Sequence, residues 1–164
     1  MALRNILTSD DPALHKTCRK VTDFGERLHV LLDDMAETLY EANGVGLAAP
    51  QVGILRRVVV IDDGENLLEL INPELISTEG EQTGPEGCLS VPGKYGVVTR
   101  PMKAKVRAQD RDGNWFEVEG EELLARAFCH ELDHLDGHVY TEIAERMLTP
   151  EEIEQMADEQ EDTQ

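Results

Sequence analysis

Apolar side chains recur at helical spacing in two stretches of the chain, and each stretch predicts an amphipathic helix. The first predicted helix covers about 26–42 and is ended by Asn43-Gly44. The second covers about 121–136, with Gly137 as its stop. The apolar residues that define them are Leu28, Leu31, Leu32, Met35 and Leu39 in the first and Leu124, Ala127, Phe128 and Leu135 in the second.

Between these helices the pattern changes to short apolar and alternating runs, which predict strands. These runs lie at 57–61, 67–71, 103–108 and 115–118. Asn72-Pro73 is expected to stop the second run, and Asp110-Arg111-Asp112-Gly113 is expected to form a hairpin turn before the fourth. The order of elements predicts an α+β fold in which two main helices pack with antiparallel β-sheets.

The last residues of the chain carry the start signals of a third, short helix. Thr149 is a candidate N-cap, Pro150 suits the first helical position, and Glu152 completes a capping box. Residues 151–164 contain seven acidic residues and no Lys or Arg. Beyond Ala157 the tail offers nothing to bury, so we expect that end to fray.

Composition and charge narrow the class of protein. The chain has 164 residues, of which 40% are hydrophobic and 30% charged, as is ordinary for a globular domain. It has no run of about 20 apolar residues that could span a membrane and no secretion signal, so we expect a cytoplasmic protein. The net charge of −19 repels phosphate backbones and argues against direct nucleic-acid binding. Three cysteines, an odd number, argue against a disulfide framework.

Residues 130–134 read His-Glu-Leu-Asp-His and carry the clearest chemical signal. On a helix, His130 and His134 lie one turn apart on the same face and can bind one metal ion. Glu131 lies about 100° round the helix, where its carboxylate can take a proton from metal-bound water. The alternative is an exposed helix that happens to carry two histidines. The intervening glutamate and the apolar side of the helix favour the metal site.

Two histidines leave such an ion short of protein ligands, and the third ligand decides the class of enzyme. The chain follows the metzincin protease pattern HExxHxxGxxH as far as Gly137, but it then has Tyr140 where that pattern has His, and His138 comes two residues too early. A distant glutamate, as in thermolysin-like proteases, stays open on spacing alone. Cys88 is the better candidate, because a thiolate beside two neutral imidazoles completes a tetrahedral site with water in the fourth position. A buried structural thiol is its alternative.

The segment 44–51, Gly-Val-Gly-Leu-Ala-Ala-Pro-Gln, has no charged residue in a strongly charged protein. Its two glycines allow another backbone to come close. Its single polar side chain, Gln51, suits a pocket wall with one aimed hydrogen-bond donor. The alternative is a helix-to-strand connection packed in the core.

These three segments together resemble the peptide deformylase family, which carries GxGxAAxQ, EGCLS and HExDH in this order. The chain has GVGLAAPQ, EGCLS and HELDH, and VPGKYGVVTRP and LDG are also similar to the bacterial type. The resemblance implies a metal-dependent hydrolase that removes the formyl group from the N-terminal formyl-methionine of newly synthesised proteins and releases formate. It implies a catalytic domain over 1–148, followed by the short helix and acidic tail over 149–164. A non-catalytic metal-binding relative would be signalled by loss of Glu131, Gln51 or Cys88, and all three are present.

The same resemblance implies a role for each matching residue. Cys88, His130 and His134 would bind the metal, on and beside the helix in the C-terminal half. Glu131 would be the general acid and base, and the Gln51 side chain and the Leu89 backbone N–H would stabilise the oxyanion. The residues along the bound peptide would be Gly44, Val45 and Gly46. The family's metal is iron(II), with zinc, nickel or cobalt able to occupy the same donor set.

Two features depart from the family's pattern. Cys129 stands where many relatives have Gln, and we expect it to pack beside His130 rather than to act as a fourth ligand. Some relatives have a basic C-terminal helix that docks on the ribosome, whereas 151–164 is acidic. Any engagement of the ribosome is therefore not expected to use the tail.

Overall fold

The structure, a computed structural model, describes residues 2–162. Met1 and the last two residues of the expected tail, 163 and 164, lie outside the described residues. The α-helices are α1 (Glu26–Glu41), α2 (Leu123–Leu135) and α3 (Pro150–Asp162), and single helical turns lie at Pro12–His15, Ala49–Val52 and Tyr140–Glu142. The strands are β1 (Gly46–Ala48), β2 (Val58–Asp62), β3 (Leu67–Glu79), β4 (Gln82–Cys88), β5 (Val91–Arg100), β6 (Lys103–Gln109), β7 (Trp115–Glu121) and β8 (Arg146–Met147). Within residues 2–162, no helix has the length and apolar character needed to cross a membrane.

The strands form two antiparallel sheets. One has the order β1-β2-β3-β6-β7 and the other has the order β4-β5-β8. Strands β6 and β7 form the predicted hairpin, in which Gly113 has a φ of 88° and donates its amide to the carbonyl of Asp110. The left-handed φ explains why a glycine stands at this turn. The expected α+β fold with antiparallel sheets is confirmed.

Strand β2 is buried on both faces, which explains its uninterrupted apolar run. Val58 and Val60 pack in one core cluster with α1, whereas Val59 and Ile61 pack in another with α2. Successive side chains of a strand point to opposite faces, so the five-stranded sheet lies between the two predicted helices. This arrangement holds α2 firmly against the sheet, with Phe128 fully buried.

Strand β3 does not stop at Asn72-Pro73, so that prediction was wrong. Asn72 has a φ of 51° and lies in a register shift of the ladder between Ile71 and Glu74. Its side chain accepts a hydrogen bond from the Val21 amide and donates one to the Val21 carbonyl. The Asn-Pro pair therefore makes a bulge inside one long strand, because the asparagine side chain replaces lost backbone partners.

The first two predicted helices agree closely with α1 and α2, whereas α3 is longer than the short helix that was predicted. Helix α2 starts at Leu123 because Glu122, with a φ of 55°, breaks the helical path just before it. Helix α3 continues to Asp162, past the point after Ala157 where fraying was expected. Residues 158–162 contain neither Gly nor Pro that would end the helix. Strands β1, β4, β5 and β8 were not predicted, since they are short or contain glycine and proline.

Candidate active site

Helix α2 places His130, Glu131 and His134 on its buried side. Relative exposures are 7%, 4% and 0%, respectively, so none of the three is a surface group. The interpretation as an exposed helix that happens to carry two histidines is therefore wrong. Burying this many ionisable groups costs free energy unless they are paired, hydrogen-bonded or bound to a metal.

Cys88 lies next to both histidines. Its Sγ is 3.3 Å from Nε2 of His134, and one ligand atom from each of Cys88, His130 and His134 lies within 4.8 Å of the others. Such separations suit one ion bound at about 2.0–2.3 Å from sulfur and nitrogen. Cys88 ends β4 after a register shift that follows Glu86, and this irregularity turns the thiol towards α2. Among residues 2–162, this is the cluster of three donors that fits a single ion.

The protease alternatives find no support in the geometry. Tyr140 stacks on His130, with ring centroids 6.0 Å apart, and its hydroxyl donates to the Lys94 carbonyl. The side chain of His138 is 62% exposed and pairs with Glu142. Within the described residues, no Asp or Glu joins the two histidines in a donor cluster. Cys129 is buried and also stands outside the cluster, as expected.

The carboxylate that holds His130 was not predicted from the sequence. Glu86 accepts a hydrogen bond from Nδ1 of His130 at 2.6 Å, so the other ring nitrogen is left for the cluster. Arg100 donates to both oxygens of Glu86, and Arg126 donates to one of them. Burial raises the pKa of Glu86, but the bonds from His130 and Arg100 outweigh it and lower the pKa to about 2. Glu86 is the first residue of EGCLS and Arg100 lies in VPGKYGVVTRP, but neither was given a role, and Arg126 lies outside the quoted motifs.

The three ionisable groups of the motif differ in how they hold protons. Burial lowers the pKa of His134 to about 3, which keeps its ring neutral and able to bind a metal. Burial also lowers the pKa of His130, but Glu131, Cys88 and Glu86 outweigh it and raise that pKa. Burial raises the pKa of Glu131 to about 7. A carboxyl with this pKa can both accept and release a proton near neutral pH.

Gly46 and Glu131 touch across the site. A Cβ placed on Gly46 would lie 2.6 Å from Oε2 of Glu131, so only glycine allows this approach. The other oxygen, Oε1, is fully buried and has no hydrogen-bond partner within the described residues. A buried carboxylate beside a donor cluster can exchange a proton with a group bound in the site.

Gln51 is buried with its amide aimed at the cluster. Its Oε1 accepts a hydrogen bond from the Ala48 amide, which fixes the side chain. Its Nε2 donates to Oγ of Ser90 at 3.0 Å and lies 3.6 Å from Sγ of Cys88. The single polar side chain of 44–51 is thus a donor in a pocket wall, and its partner Ser90 was not predicted from the sequence.

A cleft of about 560 Å³ opens over these groups. One wall contains the predicted peptide-binding residues, Gly44, Val45 and Gly46, and the opposite wall is formed by 85–95 at the end of β4 and the start of β5. The walls meet where a Cβ on Gly44 would lie 2.7 Å from Cδ1 of Leu89. Leu89, in the turn between β4 and β5, lines the cleft beside Cys88. The predicted site residues Gly44, Val45, Gly46, Gln51, Cys88, Leu89, His130 and Glu131 line this cleft. His134 is fully buried and lies beside Cys88 without lining the cleft.

A helix with an HExxH pair, completed by a cysteine and open to a cleft, is the arrangement of a single-metal hydrolase site. The family model described as polypeptide deformylase matches residues 3–149. The chain belongs to the polypeptide deformylase family.

Comparison with individual proteins agrees with this assignment. The chain is 63% identical over 148 residues to the peptide deformylase of Agathobacter rectalis, covering 90% of this chain and 94% of that protein. The crystal structure of a peptide deformylase from Legionella pneumophila has a TM-score of 0.84 at 44% identity and covers 90% of this chain and 87% of that one. For the peptide deformylase from Thermotoga maritima the TM-score is 0.85 at 39% identity, with 87% and 97% covered.

Proposed function

We propose that this chain uses one divalent metal ion, bound by Cys88, His130 and His134, to hydrolyse the formyl amide at the N-terminal methionine of newly synthesised proteins. Deformylation of such proteins is the activity of the family to which the chain belongs. The observation that carries the site assignment is the convergence of three donor atoms within 4.8 Å beside a buried, unpartnered carboxylate oxygen.

The ion held by these residues would lower the pKa of a water molecule and polarise the formyl oxygen. Glu131, whose Oε1 has no hydrogen-bond partner within the described residues, takes the proton of the attacking water. It then passes that proton to the departing amine, which its pKa of about 7 permits. Formate and a free methionine N-terminus are the products.

The Gln51 side chain and the Leu89 backbone N–H stabilise the negative charge that develops on the formyl oxygen. Support for Gln51 is its buried amide, held by Ala48 and directed at Cys88. Support for Leu89 is its place in the tight turn directly after Cys88. Fixed donors of this kind each typically account for about 100–1,000-fold in rate.

The peptide lies between the two sheets in an extended form. Strands β1 and β4 are edge strands of their sheets, and residues of both line the cleft. An added strand at such an edge gains affinity through main-chain hydrogen bonds, along Gly44, Val45 and Gly46. Main-chain pairing explains how one enzyme can serve nascent chains of many sequences.

The resident ion is iron(II), and the enzyme works in the cytoplasm, where nascent chains appear. A thiolate with two imidazoles also accepts zinc, nickel or cobalt, so supply decides occupancy. Metal analysis of protein purified without oxygen identifies the ion. Air should inactivate the iron form faster than a nickel-substituted form, because both iron(II) and its thiolate can be oxidised. Equal lifetimes in air would contradict iron(II).

Cys88→Asp tests the ligand set most directly. Oxygen in place of sulfur changes the charge and metal preference of the site, so activity on formyl-Met-Ala-Ser should collapse. The matched control is His138→Ala, which removes an exposed histidine outside the cluster and should have little effect. A Cys88→Asp enzyme with normal metal content and normal activity would overturn the proposal.

A further inference from the structure

Arg126 is a buried cation in the wall of the cleft. It lies on α2 one turn before His130, and its side chain is 9% exposed. Its Nη1 donates to Oε1 of Glu86 at 2.9 Å and to the Val98 carbonyl at 3.1 Å. The Nη1 end of the guanidinium is therefore fixed, and because the group is planar and rigid, Nε and Nη2 are held in place as well.

The remaining N–H groups of Arg126 have no protein partner among the described residues. Within residues 2–162, Nε and Nη2 have no hydrogen-bond acceptor. Neither atom is among the sealed polar atoms that lack a partner, so both reach solvent, and the cleft is the cavity that Arg126 lines. A Cβ built on Gly84 would lie 3.8 Å from Nη2, and glycine leaves that side of the guanidinium uncovered.

Other groups of this wall do not satisfy these donors. Both oxygens of Glu86 are occupied. Oε1 accepts from Arg100 and Arg126, and Oε2 accepts from Arg100 and His130. The neighbouring cleft residues on α2, Leu123 and Ala127, are apolar. The wall one helical turn from the metal donors thus combines apolar surface with a fixed, unsatisfied cationic donor.

In the proposed function the side chain of the first residue lies against this wall, and we propose that Arg126 makes the enzyme accept methionine sulfoxide as well as methionine there. This inference rests on the proposed function. Four helical residues separate Arg126 from His130, about 6 Å, which a methionine side chain spans from a formyl group at the metal donors. The sulfoxide oxygen accepts a hydrogen bond from the guanidinium, while the methylene groups contact Leu123 and Ala127.

The chemistry is the same for both substrates. Water adds to the formyl carbon, the C–N bond breaks, formate leaves, and the peptide amine gains a proton. The sulfur stays at its oxidation level throughout, so no oxidant or reductant is required. A purely apolar wall would instead leave the polar sulfoxide oxygen without a partner, at a cost of about ten-fold or more.

The experiment compares kcat/KM for formyl-Met-Ala-Ser with the same peptide containing methionine sulfoxide, using both sulfoxide epimers. For the unaltered enzyme, we expect at least one epimer to be hydrolysed within about ten-fold of methionine. Arg126→Leu should lower the ratio of sulfoxide to methionine activity by about ten-fold or more. Arg107→Leu, on β6 outside the cleft lining, where Arg107 stacks on Trp115, is the control and should leave the ratio unchanged.

Arg126→Leu also frees Glu86, so a second variant isolates the exposed donor. Gly84→Val keeps the Arg126–Glu86 pair and covers Nη2 with a side chain, and it should lower the same ratio. Rejection of both sulfoxide epimers by more than about 100-fold in the unaltered enzyme, or an unchanged ratio in both variants, would overturn the inference. Inactivity towards formyl-Met-Ala-Ser itself would instead overturn the proposed function.

Discussion

Helices α2 and α3 have the same length, 13 residues each, and opposite surroundings. Ten residues of α2 are buried, and these include the two histidines and Glu131. Helix α3 lies on the surface, with Glu151, Glu154 and Asp158 exposed to solvent. Its first turn is held by Glu152, which pairs with Arg146 and is capped by Thr149.

The difference shows which charges matter in a protein with a net charge of −19. Carboxylates are abundant throughout, so their presence alone carries little information. Buried carboxylates are different, because each must be offset by a partner or kept for chemistry. Glu86 is offset by two arginines and a histidine, whereas Oε1 of Glu131 has no hydrogen-bond partner within the described residues.

The same substitution on the two helices should have the most unequal results. Glu131→Gln should lower kcat by about 100–10,000-fold or more, because the amide cannot accept the proton of water. Metal content and circular dichroism should stay close to those of the unaltered enzyme. Glu154→Gln, on the exposed face of α3, should have no effect on kcat. Near-normal turnover by Glu131→Gln would remove the general base from the mechanism.

Apolar truncation should separate the helices by stability. Leu135 on α2 is fully buried, and Leu135→Ala should reduce the free energy of unfolding by about 2–5 kcal/mol. Ile153 on α3 is only partly buried, so Ile153→Ala should cost less than about 1 kcal/mol. Urea unfolding of both variants measures the two changes. Similar costs would mean that α3 packs on the domain as tightly as α2.

Two glutamates that pair with arginine should differ in what they support. Glu86→Gln should weaken metal binding by about 10–100-fold, because the charged carboxylate that fixes the His130 ring is replaced by a neutral amide. Competition with a chelator measures this affinity. Glu152→Gln removes an arginine-paired carboxylate at the start of α3 and should leave metal affinity unchanged. Unaltered affinity in Glu86→Gln would show that the arginines, not the histidine, need this carboxylate.

The smallest effect is expected from removing the end of α3. A chain cut after Ala157 should keep its deformylase activity and its affinity for ribosomes, because the acidic tail cannot displace counterions from RNA. Both should be measured at low and physiological salt, since any electrostatic contribution grows as screening falls. A clear loss of ribosome binding would reveal a protein partner for the tail.

The sequence predicted the parts of the fold that depend on local periodicity. Helices α1 and α2 and the apolar strand β2 follow directly from the spacing of Leu, Val and Ile. The continuation of β3 could not be predicted, since Asn-Pro normally ends a strand and the compensating partner, Val21, is far away in sequence. The two ends of α3 differ in the same way. Its start could be predicted from the capping residues Thr149 and Glu152, whereas its end at Asp162 could not be predicted from local sequence.

The site divides along a similar line. The donors stand in recognisable motifs, and the structure brings their ligand atoms within 4.8 Å of one another. The roles of Arg100 and Arg126 were invisible, because each depends on a contact with Glu86 across the fold. Whether 44–51 is a core connection or a wall of the site could be decided only by the approach of Gly46 to Glu131.

The distances along the chain between the site residues have a consequence for folding. Gln51 and Cys88 are 37 residues apart, and Cys88 and His134 are 46 apart, so the site closes two long loops. The entropy of loop closure must be overcome before these contacts form, and β-pairing across such separations is slow. A collapsed intermediate with helices already in place would bind metal weakly and turn over no substrate. Regain of activity should therefore lag behind regain of helical ellipticity when the denatured enzyme refolds.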